Sequence, residues 1–437
     1  MIDILDPTPQ TVEALIIYFT KEMSIMKVWI LQTGEPLHID TNGLRPMRAM
    51  NLANKLVENG HGVIIWSSNF DHFSKNYRSS NVKTFSISHN LEIKLIQSTG
   101  YKSNISFARL VDHAHMAINL LKQLKRQSLP DVVFIGYPPI ETAWVMTRWC
   151  RKRNIPVLLD VKDAWPEILV RGLPNKFRFI GKILLTPYTM MMKNTFKNVT
   201  GFCAPSEPFL EWSLKNSNRS KTVFDIVVPL TTPNSEFSKD EIEQAASWLD
   251  LKGIMPNGGP IISFVGSLNS AFDFNPIIKV AAKSNYRFVI AGNGPNFNEI
   301  KAQTSGISNI FMPGWLTHCQ AKVLAERSQL MIAPLKNLVD FKMSIPNKFF
   351  DYMSNGKPIV TSISGLAGEF VTRNKIGIEY SNDIDDSLEI VLSNLFKKPE
   401  LVDEMSNNSK LIFVSKFSYD VVYQALVDHI ISVKNAI

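Results

Sequence analysis

The most informative segment of the chain reads Ile345-Pro346-Asn347-Lys348-Phe349-Phe350-Asp351-Tyr352-Met353-Ser354-Asn355-Gly356-Lys357-Pro358-Ile359-Val360. It predicts a loop, a short helix with Pro346 in its first turn, and an apolar strand after Gly356. The N–H groups left free at a helix N-terminus bind anions, and Lys348 adds a positive charge beside them. Asp351 lies on the same helical face, where it can accept hydrogen bonds. The pattern favours a sugar nucleotide, with phosphates at one end and ribose hydroxyls at the other. The alternative is an ordinary helix with a solvated Lys–Asp pair.

The bulk composition indicates a soluble protein of two domains. The chain has 437 residues, too many for one hydrophobic core, and it is 45% hydrophobic and 20% charged. Its three cysteines, Cys150, Cys203 and Cys319, form neither a disulfide framework nor a zinc pattern, which favours a reducing cytoplasm. No run of about eighteen uncharged apolar residues occurs, so no membrane span is expected. Residues 1–25 lack the order of a secretory signal and are interpreted as an N-terminal extension.

Strand-like and helix-like stretches alternate along the chain in two series. The first occupies residues 26–232 and starts with the strand Lys27–Leu31; the second occupies residues 233–412 and starts with Ile261–Val265. Alternation of apolar strands with helices predicts parallel sheets that are covered on both faces. We therefore expect an α/β architecture of two doubly wound, Rossmann-like domains facing each other across a cleft. Residues 413–437 are expected to form a C-terminal helix that packs back toward the first domain.

Glycine turns that follow two strands of the second domain are candidate ligand loops. Ligands of doubly wound sheets bind at the carboxyl ends of the strands, and glycine lets the backbone approach them closely. The alternative is that each is an ordinary structural turn. The residues predicted to contact the nucleotide sugar are Gly266, Ser267, Asn293, Gly294, Pro295, Ser344, Lys348 and Asp351.

The first strand–helix loop of the first domain carries a second set of candidates. It lacks the spaced glycines of a dinucleotide fingerprint, so NAD is a poor fit. Arg45 and Arg48, near the predicted helix start, would be slightly unfavourable with the helix dipole, which favours a role in holding an anionic acceptor such as a diphosphate. The residues predicted to contact the acceptor are Asn42, Gly43, Arg45, Arg48 and His72.

Carboxylates that follow the strand Val157–Val161 are candidates for acid–base chemistry. Asp163 or Glu167 could orient or deprotonate a sugar hydroxyl. The alternative for each is a structural carboxylate that caps the next helix. Histidines 72, 113 and 115 are alternative bases; the last two point to different sides of a helix and do not form a metal pair.

Positive charge is concentrated between Arg171 and Lys197. This segment has six basic residues and no acidic one, in a chain of net charge +8, and large apolar residues lie between them. Such a mixture favours contact with an anionic membrane surface, and the alternative is a core helix with a solvated basic flank. Nucleic acid is disfavoured as a partner because no basic–aromatic platform or reading helix occurs.

Together these segments resemble family 4 of the retaining glycosyltransferases, in the branch found in bacterial O-antigen and capsule gene clusters. The resemblance spans the chain from Lys27 onward, and the segments that carry it are Gly34-Glu35-Pro36 with Arg45 and Arg48, Gly60-His61, Ser68 to His72, Asp160 to Glu167, Gly292 to Pro295, and Pro346-Asn347-Lys348 through Gly356-Lys357-Pro358. It implies the GT-B fold, with a nucleotide-diphosphate sugar in the C-terminal domain and an acceptor in the N-terminal one. No divalent metal and no further cofactor are implied.

The resemblance also assigns roles to single residues. An acidic residue just before the Met-x-x-Gly-x-Pro element contacts the donor ribose in such enzymes, and Asp351 is similar in position. Many relatives carry a Glu near the donor sugar, where this chain has Met343. A basic residue commonly follows the turn that corresponds to Gly266; none does here, so Lys348 is expected to carry more of that charge.

The expected function is a cytoplasmic, hexosyltransferase-like glycosyltransferase, peripheral to the inner membrane. It would move a sugar from a nucleotide-diphosphate donor, with UDP as the expected nucleotide, to a lipid-linked saccharide in lipopolysaccharide or capsule biosynthesis, with retention. Lys348 would assist departure of the nucleotide diphosphate and joins Asp163 and Glu167 as a catalytic candidate. One alternative is a nucleotide-sugar epimerase on the same fold, which needs no acceptor. The other is a non-catalytic nucleotide-sugar-binding protein, which Met343 favours.

Overall fold

A computed structural model describes residues 25–40, 44–79, 83–104, 106–232 and 236–436. Within them the first sheet has eight strands in the order β3-β4-β2-β1-β5-β6-β7-β8, and every neighbouring pair is parallel except β3 with β4. These strands are β1 (Lys27–Leu31), β2 (Gly62–Ser68), β3 (Thr84–Ser88), β4 (Leu91–Ile96), β5 (Val132–Tyr137), β6 (Val157–Val161), β7 (Gly201–Ala204) and β8 (Ile226–Val227).

The second sheet has six parallel strands, in the order β11-β10-β9-β12-β13-β14. They are β9 (Ile261–Val265), β10 (Arg287–Ala291), β11 (Ile310–Gly314), β12 (Leu330–Ala333), β13 (Ile359–Thr361) and β14 (Gly377–Glu379). The chain passes from β9 to β10 on one side and returns to β12 on the other. The carboxyl end of β9 is therefore the topological switch point, where sheets of this kind bind ligands.

Helices connect the strands and cover both faces of each sheet. In the described part of the chain they are α1 (Arg48–Glu58), α2 (Phe107–Leu124), α3 (Ile140–Arg151), α4 (Glu167–Arg171), α5 (Arg178–Leu184), α6 (Thr186–Asn198), α7 (Glu207–Ser217), α8 (Lys239–Leu251), α9 (Asn275–Ala281), α10 (Phe297–Gln303), α11 (His318–Arg327), α12 (Val339–Lys342), α13 (Asn347–Ser354), α14 (Leu366–Arg373), α15 (Ser387–Phe396), α16 (Pro399–Ile412) and α17 (Tyr419–Asn435). The two-domain α/β architecture predicted from the sequence is confirmed.

Local sequence signals fix where helices begin. At the start of α8, the Ser238 hydroxyl accepts from the Glu241 N–H at 3.3 Å, and the Glu241 carboxylate accepts from the Ser238 N–H at 2.8 Å. This reciprocal pair is a capping box. Helix α1 begins at Arg48, after the extended N-cap residue Met47. Pro46 disfavours a helical backbone in Arg45, the residue before it. The sequence predicted Arg45 at the helix start. In the structure it lies in the preceding loop.

The C-terminal helix completes the core of the first sheet. Leu426, Ile430 and Val433 of α17 are fully buried, in one cluster with Val28 of β1 and Leu52 of α1. This position confirms the prediction that the end of the chain packs back on the first domain. Helix α17 depends on this sheet for its stability, because burial of its apolar side chains supplies most of the stability of an amphipathic helix.

The chain crosses between the two domains twice, and the two connecting segments contact each other. Thr231, which follows the first sheet, donates its hydroxyl hydrogen bond to the carbonyl oxygen of Phe417, in the turn just before α17. Residues 233–235 lie outside the described residues, so the predicted boundary between residues 232 and 233 stays a prediction. The predicted N-terminal extension, apart from residue 25, also lies outside them.

Candidate active site

The turns after β9 and β10 pack directly against each other at the switch point. The Gly266 N–H donates to the Ala291 carbonyl at 3.0 Å, and the Leu268 N–H donates to the Asn293 carbonyl at 2.9 Å. Gly292 has a φ of +137°, and a Cβ there would overlap the carbonyl oxygen of Gly266, so only glycine fits. The structure thus brings together five residues predicted to contact the nucleotide: Gly266, Ser267, Asn293, Gly294 and Pro295.

Lys348 reaches from the first turn of α13 to the turn after β9. Its Nζ lies 4.3 Å from the ring centroid of Phe264 and 4.4 Å from that of Phe272. The same atom is 3.4 Å from the Val265 carbonyl oxygen. A Cβ on Gly266 would overlap this ammonium group, so the glycine after β9 makes room for the lysine. The two segments that the sequence singled out therefore meet in one place.

The surroundings of Lys348 lower its pKa to about 7. Burial beside two aromatic rings is the main cause; the Asp351 carboxylate opposes the shift, and the Arg45 guanidinium adds to it. A phosphate bound beside Nζ would favour the charged form and raise this pKa again. Lys348 is thus a cation whose protonation is coupled to an anionic ligand.

Arg45 and Asp351 form an ion pair across the cleft. Arg45 comes from the loop between β1 and α1, and Asp351 comes from α13 of the second domain. Their side chains are 26% and 38% exposed. His318, at the start of α11, lies close to both: burial lowers its pKa, which Asp351 raises and Arg45 lowers. A residue predicted to bind the acceptor therefore contacts one predicted to bind the donor ribose.

The segment that precedes α13 contacts the first domain. The Ser206 hydroxyl donates to the Met343 carbonyl oxygen at 2.6 Å, and the Met343 side chain packs against the core of the first sheet. Ser344, the next residue, is half-buried. The residue that stands in place of the usual Glu is thus an apolar contact between the two halves. A carboxylate in that position would have to leave this contact.

The predicted acid–base carboxylates lie at the carboxyl end of β6. Asp163 is exposed, and Glu167, the first residue of α4, pairs with Arg171 at 3.0 Å. Burial raises the pKa of Tyr137, and Glu141, Glu167 and Asp163 raise it further, which places all three carboxylates near this buried ring. Asp163 is the more accessible of the two candidates to a ligand in the cleft.

Arg48 does not line the cleft, which corrects the prediction that it contacts the acceptor. Only 2% of the residue is exposed; its Nε lies 3.3 Å from Asp160 Oδ2, and its Nη2 donates to the Val228 carbonyl at 2.7 Å. Lys162 Nζ lies 3.2 Å from the same Asp160 oxygen and also pairs with Glu35. Asp160 raises the pKa of Arg48 against the effect of burial. These four side chains, Arg48, Asp160, Lys162 and Glu35, are named the buried charge network below.

His72 lies beyond the carboxyl end of β2, where its Nδ1 is hydrogen-bonded to the Tyr101 hydroxyl. Burial lowers the pKa of His72 to about 4, with Lys75 and Arg109 adding to the shift. The imidazole is therefore neutral near pH 7. The other two residues predicted to bind the acceptor, Asn42 and Gly43, lie outside the described residues.

Three charged or aromatic residues near this site escaped the sequence analysis: Tyr101, Arg109 and Lys75. Tyr101 follows β4, a strand that the sequence analysis had not assigned. A search for polar and aromatic residues after every apolar run would have found it. The alternative base His113 is buried, with Nδ1 3.6 Å from Glu141 Oε2.

Neither a metal cluster nor a membrane span is found in the part of the chain that the structure describes. There, no group of three or more His, Cys, Asp or Glu side chains is placed to hold a metal ion. Among the same residues, no helix combines the length and the apolar character needed to cross a bilayer.

The second sheet and its glycine turns correspond to a known enzyme domain. Residues 259–396 match the sequence profile of the family described as "Glycosyl transferases group 1". This part of the chain is thus similar to a group 1 glycosyltransferase domain. It contains both glycine turns, Lys348 and Asp351. The enzyme class predicted from the sequence is confirmed.

Solved glycosyltransferase structures share the fold over both domains of this chain. Sucrose-phosphate synthase from Thermosynechococcus elongatus is similar with a TM-score of 0.71 and 11% identity, over 94% of this chain and 100% of that one. WaaG, a glycosyltransferase involved in lipopolysaccharide biosynthesis, gives 0.62 and 13%, over 92% and 99%. Anabaena HepE in complex with UDP-glucose gives 0.62 and 12%, over 93% and 100%. The chain is thus of the GT-B type. A search of curated proteins found no match.

Proposed function

We propose that the protein transfers a sugar from a nucleotide-diphosphate donor, with UDP as the nucleotide, to a lipid-linked saccharide. The observation that carries the donor part is the position of Lys348 against the two glycine turns at the switch point. HepE in complex with UDP-glucose shares the fold and supports UDP as the nucleotide. The match to a glycosyltransferase domain favours transfer over epimerisation or binding alone.

The pathway we propose is the synthesis of O-antigen or capsule, by an enzyme of family 4 of the retaining glycosyltransferases. WaaG, which has the same fold, is involved in lipopolysaccharide biosynthesis and supports this assignment. No metal or other cofactor is required in this scheme, because Lys348 and the N-terminus of α13 supply positive charge to the diphosphate.

In the proposed reaction, the bond between the anomeric carbon and the diphosphate oxygen breaks, and its electron pair leaves with the nucleotide. Lys348 stabilises the negative charge that develops on that oxygen. The acceptor hydroxyl forms its bond to the anomeric carbon on the same face, with retention, and its proton passes to the departing phosphate oxygen. Asp163, which is exposed at the end of β6, orients that hydroxyl from the first domain. Glu167, the first residue of α4, provides a second carboxylate at the same end of β6.

A thermal-shift screen tests the donor assignment. At a concentration of about 100 times its dissociation constant, a nucleotide sugar should stabilise the folded protein by roughly 2.7 kcal/mol. We expect UDP-sugars to raise the melting temperature and nucleosides without phosphate to leave it unchanged. Incubation of the stabilising donor with and without lipid-linked saccharide then tests transfer. A new sugar nucleotide formed without acceptor would contradict the proposal in favour of epimerisation.

The lipid-linked acceptor requires contact with a membrane, and we propose that α5 and α6 provide it on the inner face of the cytoplasmic membrane. Phe179 and Leu184 of α5 are 73% and 71% exposed, although they are large and apolar. Lys182 lies on the same helix, and no acidic residue occurs between Arg171 and Lys197. Exposed apolar side chains beside basic ones bind an anionic bilayer surface by burial and charge together.

Replacing both apolar residues by glutamate, as Phe179→Glu with Leu184→Glu, is expected to weaken binding to phosphatidylglycerol vesicles about tenfold or more, because the lost apolar burial is not replaced. Vesicle co-sedimentation measures the effect. The control is Leu251→Glu, since Leu251 is 85% exposed on α8 of the second domain. Equal binding by the control and the double variant would contradict this surface as the membrane contact.

A further inference from the structure

Two cations surround one aromatic ring at the carboxyl edge of the first sheet. Lys75 Nζ lies 4.6 Å from the centroid of the Tyr101 ring, and the Arg109 guanidinium lies 5.6 Å from the same centroid. Arg109 is also 5.0 Å from the Trp165 ring. Lys75 comes from the loop after β2 and Tyr101 from the segment after β4. Arg109 lies in the first turn of α2, and Trp165 lies in the loop after β6. The topology therefore gathers them at the edge where the acceptor is expected.

The hydrogen-bond partners of both cations are neutral. Lys75 Nζ donates to Asn104 Oδ1 at 2.5 Å, and Arg109 Nη1 donates to the Asn104 carbonyl oxygen at 2.9 Å. Arg109 Nε is buried without a hydrogen-bond partner. Among the described residues, neither side chain forms an ion pair with a carboxylate. Two positive charges thus lie in one cluster without a direct carboxylate partner.

The carboxylates nearby hold the loops in place and form no ion pair with either cation. Asp71 accepts from the N–H groups of Phe73 at 3.0 Å and Ser74 at 3.2 Å. Asp112 is 1% exposed and accepts from the N–H groups of Thr99 and Gly100, each at 2.8 Å. Asp71 also pairs with Arg78 at 3.5 Å, so it is held by partners other than Lys75 and Arg109. The loops therefore present these two cations at fixed positions.

We propose that Lys75 and Arg109 form a diphosphate-binding site for the acceptor substrate, beside the Tyr101 ring. An arginine and a lysine close together suit a diphosphate, which carries charge on two adjacent phosphates. The sequence predicted that Arg45 and Arg48 hold the acceptor diphosphate, and we assign that role to Lys75 and Arg109 instead. In the structure Arg45 pairs with Asp351, and Arg48 is buried. Its acceptor role rests on the proposed function; its affinity for diphosphate does not.

Two further features fit an anionic ligand. Burial lowers the pKa of Lys75, the neighbouring Arg109 lowers it further, and Asp71 opposes the shift. A diphosphate would relieve the repulsion between the two cations. The neutral His72, whose Nδ1 is hydrogen-bonded to the Tyr101 hydroxyl, adds a polar group without a third charge. Trp165, whose ring lies beside Arg109, is two residues from Asp163, which places the site near the proposed acceptor-orienting carboxylate.

The test uses inorganic pyrophosphate as the probe and the full chain as the protein. Binding is measured by titration calorimetry in a Lys348→Ala background, which removes the cation of the donor site. Adding Lys75→Gln and Arg109→Gln is expected to weaken pyrophosphate binding about tenfold or more, since both charge-assisted contacts are lost. The matched control is Lys252→Gln with Arg153→Gln, two cations that lie over Trp248 and Trp149 elsewhere in the molecule. Circular dichroism and thermal melts check that each variant is folded.

The outcomes separate this site from the proposed function. Weaker pyrophosphate binding in the Lys75/Arg109 variant but not in the control supports the site, whether or not sugar transfer is detected. In the protein with Lys348 intact, a higher KM for the lipid-linked acceptor with an unchanged KM for the donor supports its acceptor role. Unchanged pyrophosphate binding in a folded Lys75/Arg109 variant would overturn the proposal. Tighter binding of orthophosphate than of pyrophosphate would overturn its assignment to a diphosphate.

Discussion

Lys348→Ala is expected to abolish sugar transfer while the protein remains folded. The ammonium group lies at the switch point, between two phenylalanine rings, where a developing negative charge is screened little by water. Loss of one such stabilising donor costs about 10²–10³ in kcat. Initial rates of transfer from the donor found in the thermal-shift screen measure the effect, and a thermal melt without ligand checks the fold.

The matched control is Lys357→Ala, at the end of the same segment. Lys357 Nζ donates to the Glu326 carbonyl oxygen at 3.1 Å, so its loss should leave donor turnover nearly unchanged. Unchanged turnover in a folded Lys348→Ala variant would remove the assignment of this site as the donor site. A large effect of Lys357→Ala would show that loss of any charge in the segment is enough.

The lowered pKa of Lys348 also predicts how donor affinity depends on pH. Below a pH of about 7 the free protein carries the ammonium form, which attracts phosphate. Above it the lysine is increasingly neutral, and donor binding must take up a proton. Donor affinity should therefore fall as the pH rises above about 7, and this dependence should disappear in Lys348→Ala.

Arg48→Met is expected to destabilise the fold by about 3 kcal/mol, because removing one member of a buried ion pair leaves its partner charge uncompensated. Asp160, with its side chain fully buried, would keep only Lys162 as a cationic partner, and Lys162 is shared with Glu35. Chemical denaturation of the purified protein measures the change in the free energy of unfolding.

The matched control for this substitution is Arg45→Met, since Arg45 is partly exposed and pairs with Asp351 at the cleft. Exposed ion pairs contribute about 0–1 kcal/mol, so its loss should barely change the free energy of unfolding. A stable Arg48→Met variant with a raised KM for the acceptor would contradict the buried charge network and restore the role predicted from the sequence.

The architecture could be predicted because its strands are apolar runs of ordinary length. Strands such as Val157–Val161 are buried on both faces, and the sequence shows this directly. Strands β3, β4, β7 and β14 were not assigned because they are short or partly polar. Strand β3, with the sequence Thr-Phe-Ser-Ile-Ser, is largely exposed at the sheet edge. Position in the sheet, which the sequence alone does not show, makes them strands.

The site was predictable only where its residues lie close together in the chain. Lys348 and Asp351 share one helix, and each glycine turn follows its own strand. Arg45 meets Asp351 over a separation of 306 residues, a pairing that only the tertiary fold creates. The prediction for Arg48 was wrong for a related reason. A charged residue next to a loop is usually exposed, whereas in the folded state Asp160 is a buried partner of Arg48.

The packing of α17 on the first sheet has a consequence for the order in which the chain folds during synthesis. A ribosome releases the first sheet early, yet Leu426 and Ile430, which cover its apolar face, follow the whole second domain in the chain. The second domain is complete before they appear. The nascent first domain must therefore wait with exposed apolar surface while the second domain folds, and such surface is prone to aggregation. A stop codon just before Leu426 would therefore damage the first domain more than the second domain, which it follows.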